Sequence, residues 1–273
     1  MDNFRQTEIN QAIASLETNQ SLLIVGDEGS GKSAIAAEVR SEFKKRGWTV
    51  AIAEYTGSAK NTLIEIADQL GCDTCDPNTG KPLTADGLRD AIADYLYSPK
   101  TILICDDAHR YPSTFRYWLQ DCLGDRALLL MLAVNPPRKD LFLKMPRIYL
   151  QALESLQIRE IMIEEATEIG LKLPASELAL LEQRCGGNPF LARRVVREQS
   201  LNLAQDQEGD RVDYIDGTPF LIATLSMVGV VRLIGLGLGN RSLYIIGGIF
   251  TISAITLRIL VTRANSRNKT RLE

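Results

Sequence analysis

Histidine is almost missing from this 273-residue chain: His109 is the only one. A zinc site of the Cys/His kind is excluded with it, because the lone pair Cys72 and Cys75 has no second pair to complete four ligands. The five cysteines fall in a part read as cytosolic, where disulfides are not expected. No apolar run occupies residues 1–20, which are polar and charged, so no secretory signal is expected. Positive charge is scarce too. Residues 1–218 hold 24 Lys/Arg against 33 Asp/Glu, a net of −9. Non-specific nucleic-acid binding rests on phosphate neutralisation, so that balance counts against it and leaves only a local basic patch open. No internal repeat is visible.

What is present begins with Gly26-Asp27-Glu28-Gly29-Ser30-Gly31-Lys32-Ser33, directly after the apolar run 21–25. This is a complete G-x-x-x-x-G-K-[ST] loop between a buried strand and a helix, the context that phosphate binding requires. The glycines let backbone N–H groups turn inward around an anion. Lys32 is expected to reach the β- and γ-phosphates, and the Ser33 hydroxyl to ligate Mg²⁺. The helix from 33 to about 45 adds the positive end of its dipole. The ligand expected is ATP with Mg²⁺.

Strands are expected at 21–25, 49–53, 101–105 and 127–134, with helices at 5–17, 33–45, 60–70, 84–97 and 112–123. Continuous apolar strands alternating with helices predict an α/β fold, a parallel sheet covered on both faces. The strand 101–105 ends in Asp106 and Asp107, an acidic strand end suited to metal binding beside the phosphate loop. Asp106 is read as the Mg²⁺ residue opposite Ser33, and Asp107 as the group that orients the attacking water. An Asp at that place is one methylene shorter than a Glu, which predicts slow hydrolysis. His109 reads as a loop residue near the site. From 153 to 200 the pattern is purely helical, and Asn188-Pro189 marks a helix start.

With these motifs, residues 5–200 resemble the AAA+ superfamily, in the branch that holds origin-recognition-type, transposition-regulator and general-secretion ATPases. The resemblance implies a P-loop sheet with a small helical lid, working as a homo-oligomer. It makes Asn135 a sensor-1 residue, although a turn Asn before Pro136-Pro137 is an equal account. It makes Arg193 a sensor-2 residue, and Arg138 or Arg147 an arginine finger. Gly187-Asn188-Pro189 with the Asp-Asp strand end is also similar to the signal-transduction (STAND) ATPases, which implies that Pro189 packs on adenine.

Two apolar runs of 20 residues, 219–238 and 243–262, are long enough for helices across a bilayer, with Arg232 and Arg258 off centre. Residues 263–273 carry Arg263, Arg267, Lys269 and Arg271, which the positive-inside rule assigns to the cytosol. The expected organisation is therefore a nucleotide-binding domain at 1–150, a lid at 151–200, an acidic linker at 201–218, a transmembrane helical hairpin at 219–262 and a basic tail. The function expected is a two-span integral membrane protein with both termini cytoplasmic, an AAA+-like ATPase that switches a protein partner at the membrane, with lipid contacts through the hairpin. Two other classes stand beside it: an ATP-gated oligomeric scaffold with little hydrolysis, and a DNA-associated transposition-type regulator.

Overall fold

The computed structural model describes residues 4–77 and 79–201. Within them the strands β1 (Leu22–Val25), β2 (Thr49–Ala53), β3 (Thr101–Cys105), β4 (Leu128–Ala133) and β5 (Arg147–Tyr149) form one sheet in the order β2-β3-β4-β1-β5. Every pairing is parallel. Each connection between successive strands carries a helix over a face of the sheet. The consequence of the strand order for the site is that β4 lies between the strand ending at Gly26 and the strand ending at Asp106.

Alternate residues of each central strand serve opposite faces. Ile24, Ile102, Ile104, Leu130 and Leu132 meet α1 (Gln6–Glu17) and α2 (Lys32–Lys45). Leu23, Leu103, Leu129 and Met131 meet α3 (Ala59–Leu70), α4 (Ala85–Leu96), α5 (Ser113–Gly124) and α6 (Asp140–Lys144). All are buried. Truncating any of the leucines or isoleucines to Ala costs about 2–5 kcal/mol. At the edge strand β2, the Gln69 amide accepts from Ile52 N–H and donates to Ile52 C=O, both at 2.8 Å. That covers an edge otherwise open to strand addition.

The helices α7 (Ser155–Glu168), α8 (Ala175–Cys185) and α9 (Pro189–Ser200) share a separate core of Ile158, Ile161, Met162, Leu181, Val195 and Val196, with Phe4 packed against it. Gly187, at φ +79°, joins them to the sheet. A Cβ there would meet Ala152 Cβ at 2.6 Å, and its carbonyl accepts from Leu153 N–H at 2.9 Å.

The membrane part of the expected fold and the two-pass localisation are corrected here. No helix among the described residues is long and apolar enough to cross a membrane. The longest, α2 and α7, have 14 residues, about 21 Å at helical rise against about 30 Å of hydrocarbon. The runs 219–238 and 243–262 lie outside the described residues; the reading rested on their length and hydropathy alone. The strand β5 was not expected, since it has three half-buried or exposed residues and no apolar run.

Candidate nucleotide-binding site

The loop after β1 is organised by what its carbonyls do. Lys32 Nζ donates to Gly26 O at 3.0 Å and to Asp27 O at 2.8 Å. Glu28 O accepts from Asn188 Nδ2 at 2.8 Å, Gly29 O from Phe190 N–H at 3.4 Å and Ser30 O from an Arg5 guanidinium nitrogen at 3.1 Å. Five consecutive carbonyls are thus engaged, and the N–H groups at the start of α2 remain for an anion. Glycine is required by geometry at Gly29, whose φ is +75° and whose Cβ would lie 2.6 Å from Phe190 Cβ. Ser30 Oγ is buried without a hydrogen-bond partner, packed on the side of Gly26 and Leu150.

Facing the loop, Ser33 Oγ donates to Asp106 Oδ2 at 2.7 Å. Two hard oxygen donors converge there, the set that suits Mg²⁺ beside a triphosphate. They open onto a groove of about 540 Å³ that Arg40, Lys44 and Glu54 also line. Asp106 is fixed by its own N–H to Ala53 O at 3.0 Å and by Asp107 N–H to its Oδ1 at 2.8 Å. Asp107 lies at φ +46° and pairs with Arg110 at 3.2 Å. Behind this turn, buried Tyr111 donates to Ala53 O at 2.7 Å and holds the strand end in place.

Residues 15–142 match the family described as AAA domain. The recognition read from the chain's motifs stands, and the fold agrees with it. Cdc6p from Pyrobaculum aerophilum is similar with a TM-score of 0.55 at 15% identity, over 75% of this chain and 65% of that one. The Aeropyrum pernix ORC1 protein in complex with DNA gives 0.52 at 16%, over 84% and 68%. The replication initiator DnaA bound to AMPPCP and single-stranded DNA gives 0.50 at 14%, over 85% and 70%. No curated protein matches.

In this site the Lys32 ammonium is buried, which lowers its pKa, while Asp107, Asp106, Asp27 and Glu28 pull it back up. Asn135 stands at the tip of β4, exposed and at φ +45°. His109 Nδ1 accepts from Val134 N–H at 3.2 Å. Burial lowers its pKa first; Asp107 opposes, Lys32 and Arg110 add to the lowering, and Glu28 opposes.

The lid residues divide. Asn188 caps α9 by accepting from Phe190 and Leu191 N–H, and Pro189 sits at the first helical position beside the loop. Arg193, expected at the phosphates, instead faces Glu165 of α7 at 3.8 Å, and Arg197 binds the same buried carboxylate at 2.5 Å. Arg147 donates to Phe142 O at 2.7 Å, so it is tied within its own fold, whereas Arg138 is exposed. Three residues of the site were missed: Arg5, Asn188 as a donor, and His109 as an acceptor. Arg5 is buried and also donates to Gln151 O at 2.7 Å, joining the loop to the lid connection. The sequence carries no signal for these contacts, since the partners of Arg5 are 25 and 146 residues away, that of His109 25 and that of Asn188 160.

Proposed function

We propose that the chain is a nucleotide-driven switch: it binds Mg-ATP at 26–33, hydrolyses it slowly and uses the change to alter its assembly with copies of itself or with a protein partner. The observation that carries this is the 2.7 Å contact of Ser33 with Asp106 beside Lys32 at the start of α2. In this reading residues 1–150 bind the nucleotide and 151–200 form the lid.

Lys32 exchanges its two loop carbonyls for phosphate oxygens, and the loop N–H groups hold the remaining phosphate charge. Ser33 and Asp106 would hold Mg²⁺, which would supply neutralisation of phosphate charge. Asp107 releases Arg110 to orient water, and Asn135 approaches the terminal phosphate from the neighbouring strand. Pro189, at the start of α9, borders the adenine. Catalysis of this kind is positioning and electrostatics.

A scaffold that turns over rarely is the second reading. The Asp107–Arg110 pair favours it, because the carboxylate meant for water is already engaged. Turnover of the untagged full chain, followed against its concentration, separates the two. Turnover that rises with concentration supports the assembling switch; tight Mg-ATP binding with background turnover supports the scaffold.

A further inference from the structure

We propose that His109 is a positioning residue: its imidazole completes the sheet at the nucleotide end and locks the tip of β4, with Asn135, to the turn that carries Asp107. The inference rests on the reading of this site as an ATPase centre.

The argument begins with the ladder. Pairing of β3 with β4 ends at Cys105 and Met131. The β3 chain then leaves the sheet through Asp106 and Asp107, while β4 runs on to Ala133. Backbone groups of one strand residue point to the same side, and successive residues alternate. Ala133 O faces the β1 side, where it accepts from Gly26 N–H at 3.2 Å. Val134 N–H therefore faces the β3 side, beyond the point where β3 can supply an acceptor. His109 Nδ1 supplies it, at 3.2 Å. A side chain from the turn stands in for the missing strand residue.

Two consequences follow from that bond. Nδ1 must be unprotonated to accept, so the neutral ring carries its proton on Nε2. In addition, the turn 107–110 and the tip 134–135 become one unit. Asp107 at φ +46° and Asn135 at φ +45° both occupy left-handed backbone that costs energy to hold. The His109 bond closes the span between them. Binding of the nucleotide belongs to 26–33, so loss of His109 should slow turnover and leave affinity in place.

The test uses His109→Leu, which keeps bulk and loses the acceptor, and His109→Asn, whose side-chain oxygen offers an acceptor at the place of Nδ1. His109→Leu should lower kcat by about ten- to a hundredfold with KM unchanged, and His109→Asn should recover most of it. Because the chain has one histidine, imidazole ¹⁵N resonances of the untagged full chain report on this residue alone. They should show the Nε2–H tautomer. A His109→Leu enzyme at wild-type rate, an Asn variant as slow as the Leu variant, or a change confined to KM overturns the inference. Absence of turnover in the wild type overturns the ATPase reading by itself. The tautomer then decides the lock, and an Nδ1–H ring overturns it.

Discussion

The phosphate loop and the acidic turn face each other across the same site, yet they are held in different ways. Each carbonyl from Gly26 to Ser30 has a donor, supplied by Lys32, by α9 and by the segment before α1. The acidic turn is anchored at Asp106 by Ala53 O and by the Asp107 N–H. The Asp107 carboxylate, by contrast, has an exposed ion pair to Arg110 on a left-handed backbone, and the turn meets β4 through one bond from Val134 to His109. Preorganised donors lose little on binding, whereas a group that must first leave a partner delays the step it serves. On the proposed reading, binding is prepared in the fold and hydrolysis waits on a rearrangement of Asp107. Changes at the turn should act on rate, and changes at the loop on affinity.

The largest effect expected is at Asp107. Asp107→Asn should lower kcat by about a hundredfold or more with Mg-ATP affinity kept, and Asp107→Glu, which restores the missing methylene, should raise kcat above the wild type. Steady-state turnover beside calorimetric binding reads both. An affinity loss that parallels the rate loss would erase the contrast between the two regions.

Lys32→Ala comes next. Removing a charged donor should weaken Mg-ATP binding by about ten- to a hundredfold, measured by calorimetry. The lid is then examined through Asn188→Ser, which keeps a cap oxygen but is too short to reach Glu28 O. Affinity should fall about threefold to tenfold, for one lost neutral hydrogen bond, with thermal stability nearly unchanged. If affinity stays at the wild-type value, the contact of α9 with the loop is packing alone.

The smallest effect concerns pH. The His109 pKa is lowered in the folded state by burial, from an ordinary value of 6.5. The unfolded chain therefore takes up its proton first as pH falls. The stabilisation is complete above 6.5 and is lost as pH drops through the lower folded value. Wild-type melting temperature should fall relative to that of His109→Asn between pH ~7 and ~5.

Much of the sheet, and the two segments that bring Ser33 and Asp106 together, were legible because each lies in a contiguous run. An apolar strand, a glycine loop and a helix are successive residues, and so are β3 and its two carboxylates. The contacts that brace the site are not of that kind. Arg5 reaches Ser30 and Gln151, and Asn188 reaches Glu28, through tertiary folding that no local pattern encodes. Arg193 was read from its place in α9 alone. Its place one turn into α9 suggested a phosphate ligand, but Glu165, 3% exposed in α7, requires a cation and takes Arg193 and Arg197. The apolar runs beyond 201 were read by length and hydropathy, and no helix among the described residues is long and apolar enough to cross a membrane.

The account turns on whether Ser33 and Asp106 form a metal-assisted triphosphate site. The most direct measurement is calorimetric titration of ATP, with and without Mg²⁺, into the wild-type chain and into Ser33→Ala. The account predicts that Mg²⁺ tightens ATP binding by about tenfold or more in the wild type and has little effect in the variant. ATP binding that ignores Mg²⁺ in the wild type, or an undiminished Mg²⁺ effect in Ser33→Ala, would contradict it.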